Sequence, residues 1–303
     1  MGCSDWGSIF ETQTFQSLLH PGCKTMTIAS RYLTCLGREL HFTEWGQENA
    51  EAVLCWHGVA RTGRDFDDLA RHLSLRYRVI CPDTLGRGCS QWALEPDREY
   101  CLAAYGDAAL DLCRQLGIGQ MRWVGTSMGG LLGIMLAAGS LQGRITHLVL
   151  NDIGPQIAAA ALQRIAAYVG NPPSFDTLTA LEHWLRKVYA TFGPQTDATW
   201  RQLAETSWRR TDAGKVTVHY DPRIMNQLTP PAADLDIWAA YDHLRCSTLV
   251  LRGAESDVLS QETAEAMTRR GPRCRLVEIE HCGHAPLLNV SAQLQVVDEF
   301  LAS

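Results

Sequence analysis

Short apolar runs alternate with stretches of helical periodicity along most of this chain. "RYLTCL" and "ELHFTEW" flank Gly37 and predict an opening hairpin. "AVLCW" (52–56) has no polar position, so it predicts a strand buried on both faces, ending at His57-Gly58. Phe66, Leu69, Ala70 and Leu73 then fall on one helical face, and "YRVIC" (77–81) predicts the next strand. Leu102, Tyr105, Ala109, Leu112 and Leu116 form a second helical stripe, closed by Gly117. "MRWVG" reads as a strand, "LLGIMLAAG" as a buried helix and "THLVLN" (146–151) as a strand. The alternation resumes with the strand "STLVLRG" (247–253), a helix over Gln261 to Arg270, the strand "RLVEIE" and a last helix to Phe300. Continuous apolar strands alternating with helices predict a mostly parallel sheet covered on both faces.

The alternation breaks between 155 and about 233. Leu178, Leu181, Leu185, Val188 and Phe192 share a helical face there. The segment also holds Tyr168, Trp184, Tyr189, Trp200, Trp208 and Tyr220. It is too long for a loop and predicts an inserted helical cap. The expected organisation is a core in two parts, 1–154 and 234–303, around a cap at 155–233. Residues 1–25 are expected to be a loose extension.

Composition narrows the classes. The chain has 303 residues, 46% of them hydrophobic, which is enough for a substantial core. A net charge of -6 and the absence of basic runs speak against nucleic acid and membrane surfaces as partners. No apolar run reaches the length of a bilayer span. The start, "MGCSDWGSIF", lacks a secretory pattern, and Trp6 stands where myristoylation wants Ser or Thr. Eleven cysteines are an odd count with no C-x-x-C, and Cys55, Cys81 and Cys113 lie in apolar runs. They read as buried small hydrophobes in a reducing cytosol. A cytoplasmic monomer or homodimer is expected.

The stretch "WVGTSMGG" (123–130) carries the chemistry. Where a strand turns sharply into a helix, the tip residue is strained and its neighbours two positions away approach closely. Gly125 and Gly129 fit that demand around Ser127. The turn would expose the Ser127 hydroxyl at the positive end of the following helix. A lone serine is a poor nucleophile and needs a base, and the base needs an orienting acid. "HCGHAP" places His284 in a tight loop past the last strand, and "GAESDVL" places Asp257 just past the strand before it. Asp257 is the expected acid. Asp152, in "LVLNDIGP", also follows a strand and is the alternative; His281 is a minor alternative to His284.

The motifs "HGVA" (57–60), "DTLGRGCS" (83–90), "GTSMGG" (125–130), "GAESDVL" (253–259) and "GHAP" (283–286), in that order, resemble those of the α/β-hydrolase superfamily, in its cap-bearing serine hydrolase branch. The likeness runs over about 31–303. It implies an α/β fold with a mostly parallel eight-stranded sheet and an inserted helical cap. It implies a cofactor-free hydrolase acting on a small-molecule ester through an acyl-enzyme, with Ser127 as nucleophile, His284 as base and Asp257 as acid. The backbone N–H groups of Val59 and Met128 are the implied oxyanion donors, with His57 shaping that loop. Arg61 and Arg87 lie near the implied mouth and read as solvated loop arginines, or alternatively as anchors for an anionic substrate. Trp184, Trp208 and Tyr220 are the cap candidates for substrate contact. No metal is expected, because the histidines do not form an H-E-x-x-H pattern. A carbon–carbon bond hydrolase or a lactonase with the same triad is the alternative within enzymes. A non-catalytic ligand-binding protein on the same fold is the alternative outside them.

Overall fold

The computed structural model describes residues 28–228 and 235–303. The expected extension at 1–25 and the expected end of the cap at 233 lie outside these residues. Strands β1 (Ile28–Cys35) and β2 (Arg38–Trp45) form the opening hairpin. Its two turn residues, Leu36 and Gly37, have φ of 50° and 79°, the left-handed pair that matches the twist of a two-residue hairpin. β3 (Ala52–Trp56), β4 (Arg78–Pro82), β5 (Met121–Thr126) and β6 (Ile145–Asn151) follow, joined through α1 (Asp67–Leu73), α2 (Pro96–Glu99), α3 (Leu102–Gln115) and α4 (Met128–Ala138). After the insertion, β11 (Ser247–Gly253), α9 (Gln261–Met267), β12 (Arg275–Ile279) and α10 (Ser291–Leu301) complete the core.

The main sheet has eight strands in the order β1-β2-β4-β3-β5-β6-β11-β12. Only the pairings of β2 with β1 and β4 are antiparallel. The remaining strands run parallel, so the carboxyl ends of β3, β5, β6, β11 and β12 open on one edge.

Side chains leave a strand alternately to either face, and the core obeys that period. Val53, Cys55, Val79, Val124, Val149 and Leu251 pack on one side with Leu69 and Leu73 of α1 and Val297 and Leu301 of α10. Leu54, Trp56, Ile80, Trp123, Leu148 and Leu150 pack on the other side with α3, α4 and the insertion. Both faces are buried over the central strands, which explains the unbroken apolar run of β3. Truncating one of these leucines to alanine is expected to cost about 2–5 kcal/mol.

The insertion between β6 and β11 contains α5 (Ala159–Val169), α6 (Leu178–Val188) and α7 (Asp197–Glu205), with α8 (Trp238–Asp242) leading back into the core. Its two ends meet in a short antiparallel pair, β7 (Gln156–Ile157) with β10 (Leu235–Asp236). The stretch also carries a small hairpin, β8 (Trp208–Arg210) with β9 (Val216–Val218), where periodicity alone suggested helices. Three-residue strands are too short to print an alternating pattern. No helix among the described residues is long and apolar enough to cross a membrane.

Candidate active site

Ser127 caps α4 with φ 51° and ψ -116°, a conformation that costs energy for any residue with a Cβ. The neighbours make the turn possible. A Cβ on Gly125 would lie 2.3 Å from the carbonyl oxygen of Gly129, and one on Gly129 would lie 2.0 Å from that of Trp56. Neither position accepts a side chain. Trp56 and Trp123 stack beneath the turn with ring centroids 5.4 Å apart, and the Trp123 indole N–H donates to the Gly129 carbonyl at 2.9 Å. The strain at Ser127 is therefore held by packing on all sides.

His284 lies between the serine and an acid. Its Nε2 is 2.9 Å from Ser127 Oγ and its Nδ1 is 2.7 Å from Asp152 Oδ2. This corrects the expectation for Asp257. That residue sits on the rim, its carboxylate paired bidentately with Arg164 of α5 at 2.5 and 2.9 Å. β6 and β11 are neighbours, so both strand ends reach the same edge. Asp152 turns inward because it takes φ 53° immediately after β6. Its Oδ1 accepts from the Gly253 N–H at 2.8 Å, and its Oδ2 also accepts from Ser256 Oγ at 2.6 Å. The residue is completely buried. The loop after β11 thus supplies donors to the Asp152 carboxylate, where it was expected to supply the carboxylate that meets His284.

Two further elements brace this arrangement. Asn151 Nδ2 donates to Thr126 Oγ1 and to the Pro286 carbonyl, linking the serine turn to the histidine loop. From the insertion, Thr191 Oγ1 donates to the His284 carbonyl at 2.5 Å, and the Thr191 carbonyl accepts from Gly283 N–H at 2.7 Å. The residues 190–192 thereby hold the histidine loop directly, a role that no sequence signal announced.

The loop after β3 faces Ser127. A Cβ on Gly58 would sit 3.6 Å from Ser127 Cβ. His57 is fully buried and neutral: burial pulls its pKa down to about 4. Its ring donates through Nδ1 to the Gly58 carbonyl at 2.7 Å and accepts the Thr84 N–H at Nε2 at 2.9 Å. The Gly58 carbonyl also accepts from Arg61 N–H. A trans peptide points its N–H opposite to its carbonyl, so these two donors fix the direction of the Val59 N–H. Arg87 Nε holds the next carbonyl, that of Val59, at 2.9 Å. On the other side, Met128 is the first residue of α4, where an N–H has no intrahelical acceptor.

A cavity over Ser127 is lined by Gly58, Val59 and Arg61 from the core and by Arg164, Tyr168, Tyr189 and Phe192 from the insertion. Trp184, Trp208 and Tyr220 do not line it. Trp184 packs beside Phe175, Tyr220 is buried within the insertion, and Trp208 faces a separate cavity near β1 and β2. Their aromatic character marked the segment correctly, but nothing in the sequence said which face each would occupy. Arg61 and Arg87 are not solvated either. Arg61 is 5% exposed and bidentate with Asp65, and Arg87 is fully buried between Tyr100 and Tyr105.

Among the described residues one side-chain group could hold an ion: His41, Asp83 and Cys89. It borders the separate cavity, not that of Ser127. Asp83 already accepts from Gly63 N–H, Cys89 N–H and His41 Nδ1, which pins the 83–89 loop to β2.

Three comparisons agree with this architecture. Residues 53–299 match the model of the alpha/beta hydrolase family. The chain is 37% identical over 269 residues to a 3-hydroxybutyrate-oligomer hydrolase of Cupriavidus necator, covering 86% of this chain and 91% of the relative. It is 26% identical to a 2-(acetamidomethylene)succinate hydrolase of Mesorhizobium japonicum over 77% of this chain and 81% of that one. Among solved structures, a putative hydrolase from Rickettsia typhi superimposes with a TM-score of 0.84 at 30% identity, covering 91% of this chain and 99% of its own.

Proposed function

From a chain that belongs to the alpha/beta hydrolase family, we propose a serine hydrolase that cleaves carboxylic esters of hydroxy acids through an acyl-enzyme. The observation that carries this reading is the continuous relay from Ser127 Oγ through His284 to the buried Asp152. Ser127 attacks the ester carbonyl and His284 Nε2 takes its proton. Asp152 holds the ring by Nδ1 and stabilises the imidazolium that forms. The tetrahedral oxyanion lies against the N–H groups of Val59 and Met128, at the positive end of α4. Collapse expels the alcohol, which takes the proton from His284. Water then repeats the sequence on the acyl-serine and releases the acid. The insertion acts as a cap, with Tyr168, Tyr189 and Phe192 forming the apolar wall of the site.

The name of the Cupriavidus relative supports hydroxy-acid oligomers as the ester class. A panel of 3-hydroxybutyrate dimer, nitrophenyl esters, a lactone and a vinylogous diketone separates this class from the lactonase and carbon–carbon readings. Ser127→Ala is expected to lower kcat on the best ester by about 10⁵–10⁶-fold and to abolish labelling by a fluorophosphonate. Retention of more than a few per cent of kcat would refute the nucleophile.

A further inference from the structure

The cavity over Ser127 is lined by two arginines, Arg61 and Arg164, and each is paired with a carboxylate. Their situations differ. Arg61 is buried, its carboxylate Asp65 lies four residues away in the same loop, and Tyr189 covers its guanidinium at 4.9 Å. It is built in. Arg164 stands on α5 of the insertion, and its partner Asp257 belongs to the core loop after β11. Both side chains of that pair are close to half exposed, 40% and 46%, and solvent screens such a pair heavily. Asp257 itself does not line the cavity, whereas Arg164 does.

A hydroxy-acid ester bound over Ser127 lies against the lining of this cavity, which includes Arg164. Of the two cavity arginines, Arg164 is the one whose carboxylate partner is half exposed and lies on another part of the chain, so that partner is open to replacement in kind. A guanidinium fork donates to any planar carboxylate in the same bidentate geometry.

We propose that Arg164 recognises a free carboxylate on the substrate, and that Asp257 occupies this guanidinium until the substrate's carboxylate replaces it. The site would then prefer esters ending in a free acid over the same esters capped. This inference rests on the ester-hydrolase reading of Ser127.

The test measures kcat and KM on 3-hydroxybutyrate dimer and on its methyl ester, for the parent protein, Arg164→Gln and Asp257→Asn. The parent is expected to favour the free acid in kcat/KM. Arg164→Gln should cut that preference by about tenfold or more, through KM. Asp257→Asn should raise it several-fold, again through KM, because the competing carboxylate is gone. An unchanged preference in Arg164→Gln overturns the proposal, and so does a loss of kcat on both esters in Asp257→Asn. If the parent cleaves neither ester, the ester-hydrolase reading fails, and calorimetry with 3-hydroxybutyrate itself then decides the inference. Binding weakened about tenfold in Arg164→Gln sustains it; equal binding, or none to the parent, overturns it.

Discussion

Asp152 and Asp257 follow neighbouring strands, β6 and β11, and emerge on the same edge of the sheet. Around Asp152 everything is dry and paired: three donors on one carboxylate and no exposed surface. Around Asp257 there is one partner, Arg164, and open solvent. Strand position alone does not select the acid that serves a histidine. Selection comes from the number of fixed donors and the exclusion of water, because a carboxylate held from three directions orients an imidazole and acts on it unscreened.

Replacing each acid is the strongest way to break this contrast. Asp152→Asn is expected to lower kcat by about 10⁴-fold, since a carboxamide on Nδ1 favours the wrong ring tautomer. Asp257→Asn is expected to stay within about tenfold of the parent kcat. Steady-state kinetics on one small neutral ester decides it, and a reversed order of severity would return the acid to position 257.

The contrast also explains what could be read in advance. The central strands were visible because a two-face burial leaves runs such as "AVLCW" and "LVL" with no polar break. The sharp turn at Ser127 was visible because its sterics forbid any residue but glycine at 125 and 129. His284 was visible as a candidate because Gly283 and Pro286 mark a tight loop around it past the last strand. The carboxylate that meets His284 was not visible. Both candidates are single aspartates after strands, and what separates them is donors from residues about a hundred positions away in the chain, Gly253 and Ser256. The inward faces of the insertion were hidden for a similar reason. Tyr168 and Tyr189 line the cavity over the serine while Trp184 and Tyr220 do not, though all four are aromatic residues of one segment.

Acid should discriminate the inner network from the rim. His57 has its pKa lowered to about 4 and His219 to about 3, both chiefly by burial. The unfolded chain binds protons at these imidazoles below about pH 6.5 while the native state refuses them. Stability is therefore fully present above pH 6.5 and is lost as pH falls toward 4. Each group contributes a slope of up to about 1.4 kcal/mol per pH unit in that window. Urea unfolding at pH 7 and pH 5 should show the loss. His57→Gln should flatten the slope, and Asp257→Asn should leave it alone. An unaltered slope in His57→Gln would mean that the histidine is not kept neutral by the fold.

The bond from the insertion to the histidine loop offers a smaller perturbation. Thr191→Val removes the donor to the His284 carbonyl without changing the volume. A loosened base is expected to lower kcat by about tenfold, because productive geometry tolerates little displacement. KM on a small ester should move less. An unaffected kcat would confine the 190–192 segment to packing.

The smallest effect is expected at the rim. Asp257→Ala breaks the pair with Arg164, in which both side chains are close to half exposed. Exposed pairs of this kind contribute about 0–1 kcal/mol, and nothing else among the described bonds depends on the Asp257 carboxylate. Asp152→Ala instead leaves the Gly253 N–H, the Ser256 hydroxyl and the His284 ring without their acceptor in a dry site. Each such orphan costs about 1–3 kcal/mol. Denaturant midpoints of the two alanine variants should therefore differ clearly. The deficit of Asp257→Ala should shrink further at 1 M salt, where the Debye length is about 3 Å, while that of Asp152→Ala should persist. If Asp257→Ala proves the more destabilised of the two, the rim pair is a structural tie between insertion and core, and its carboxylate is not free to exchange.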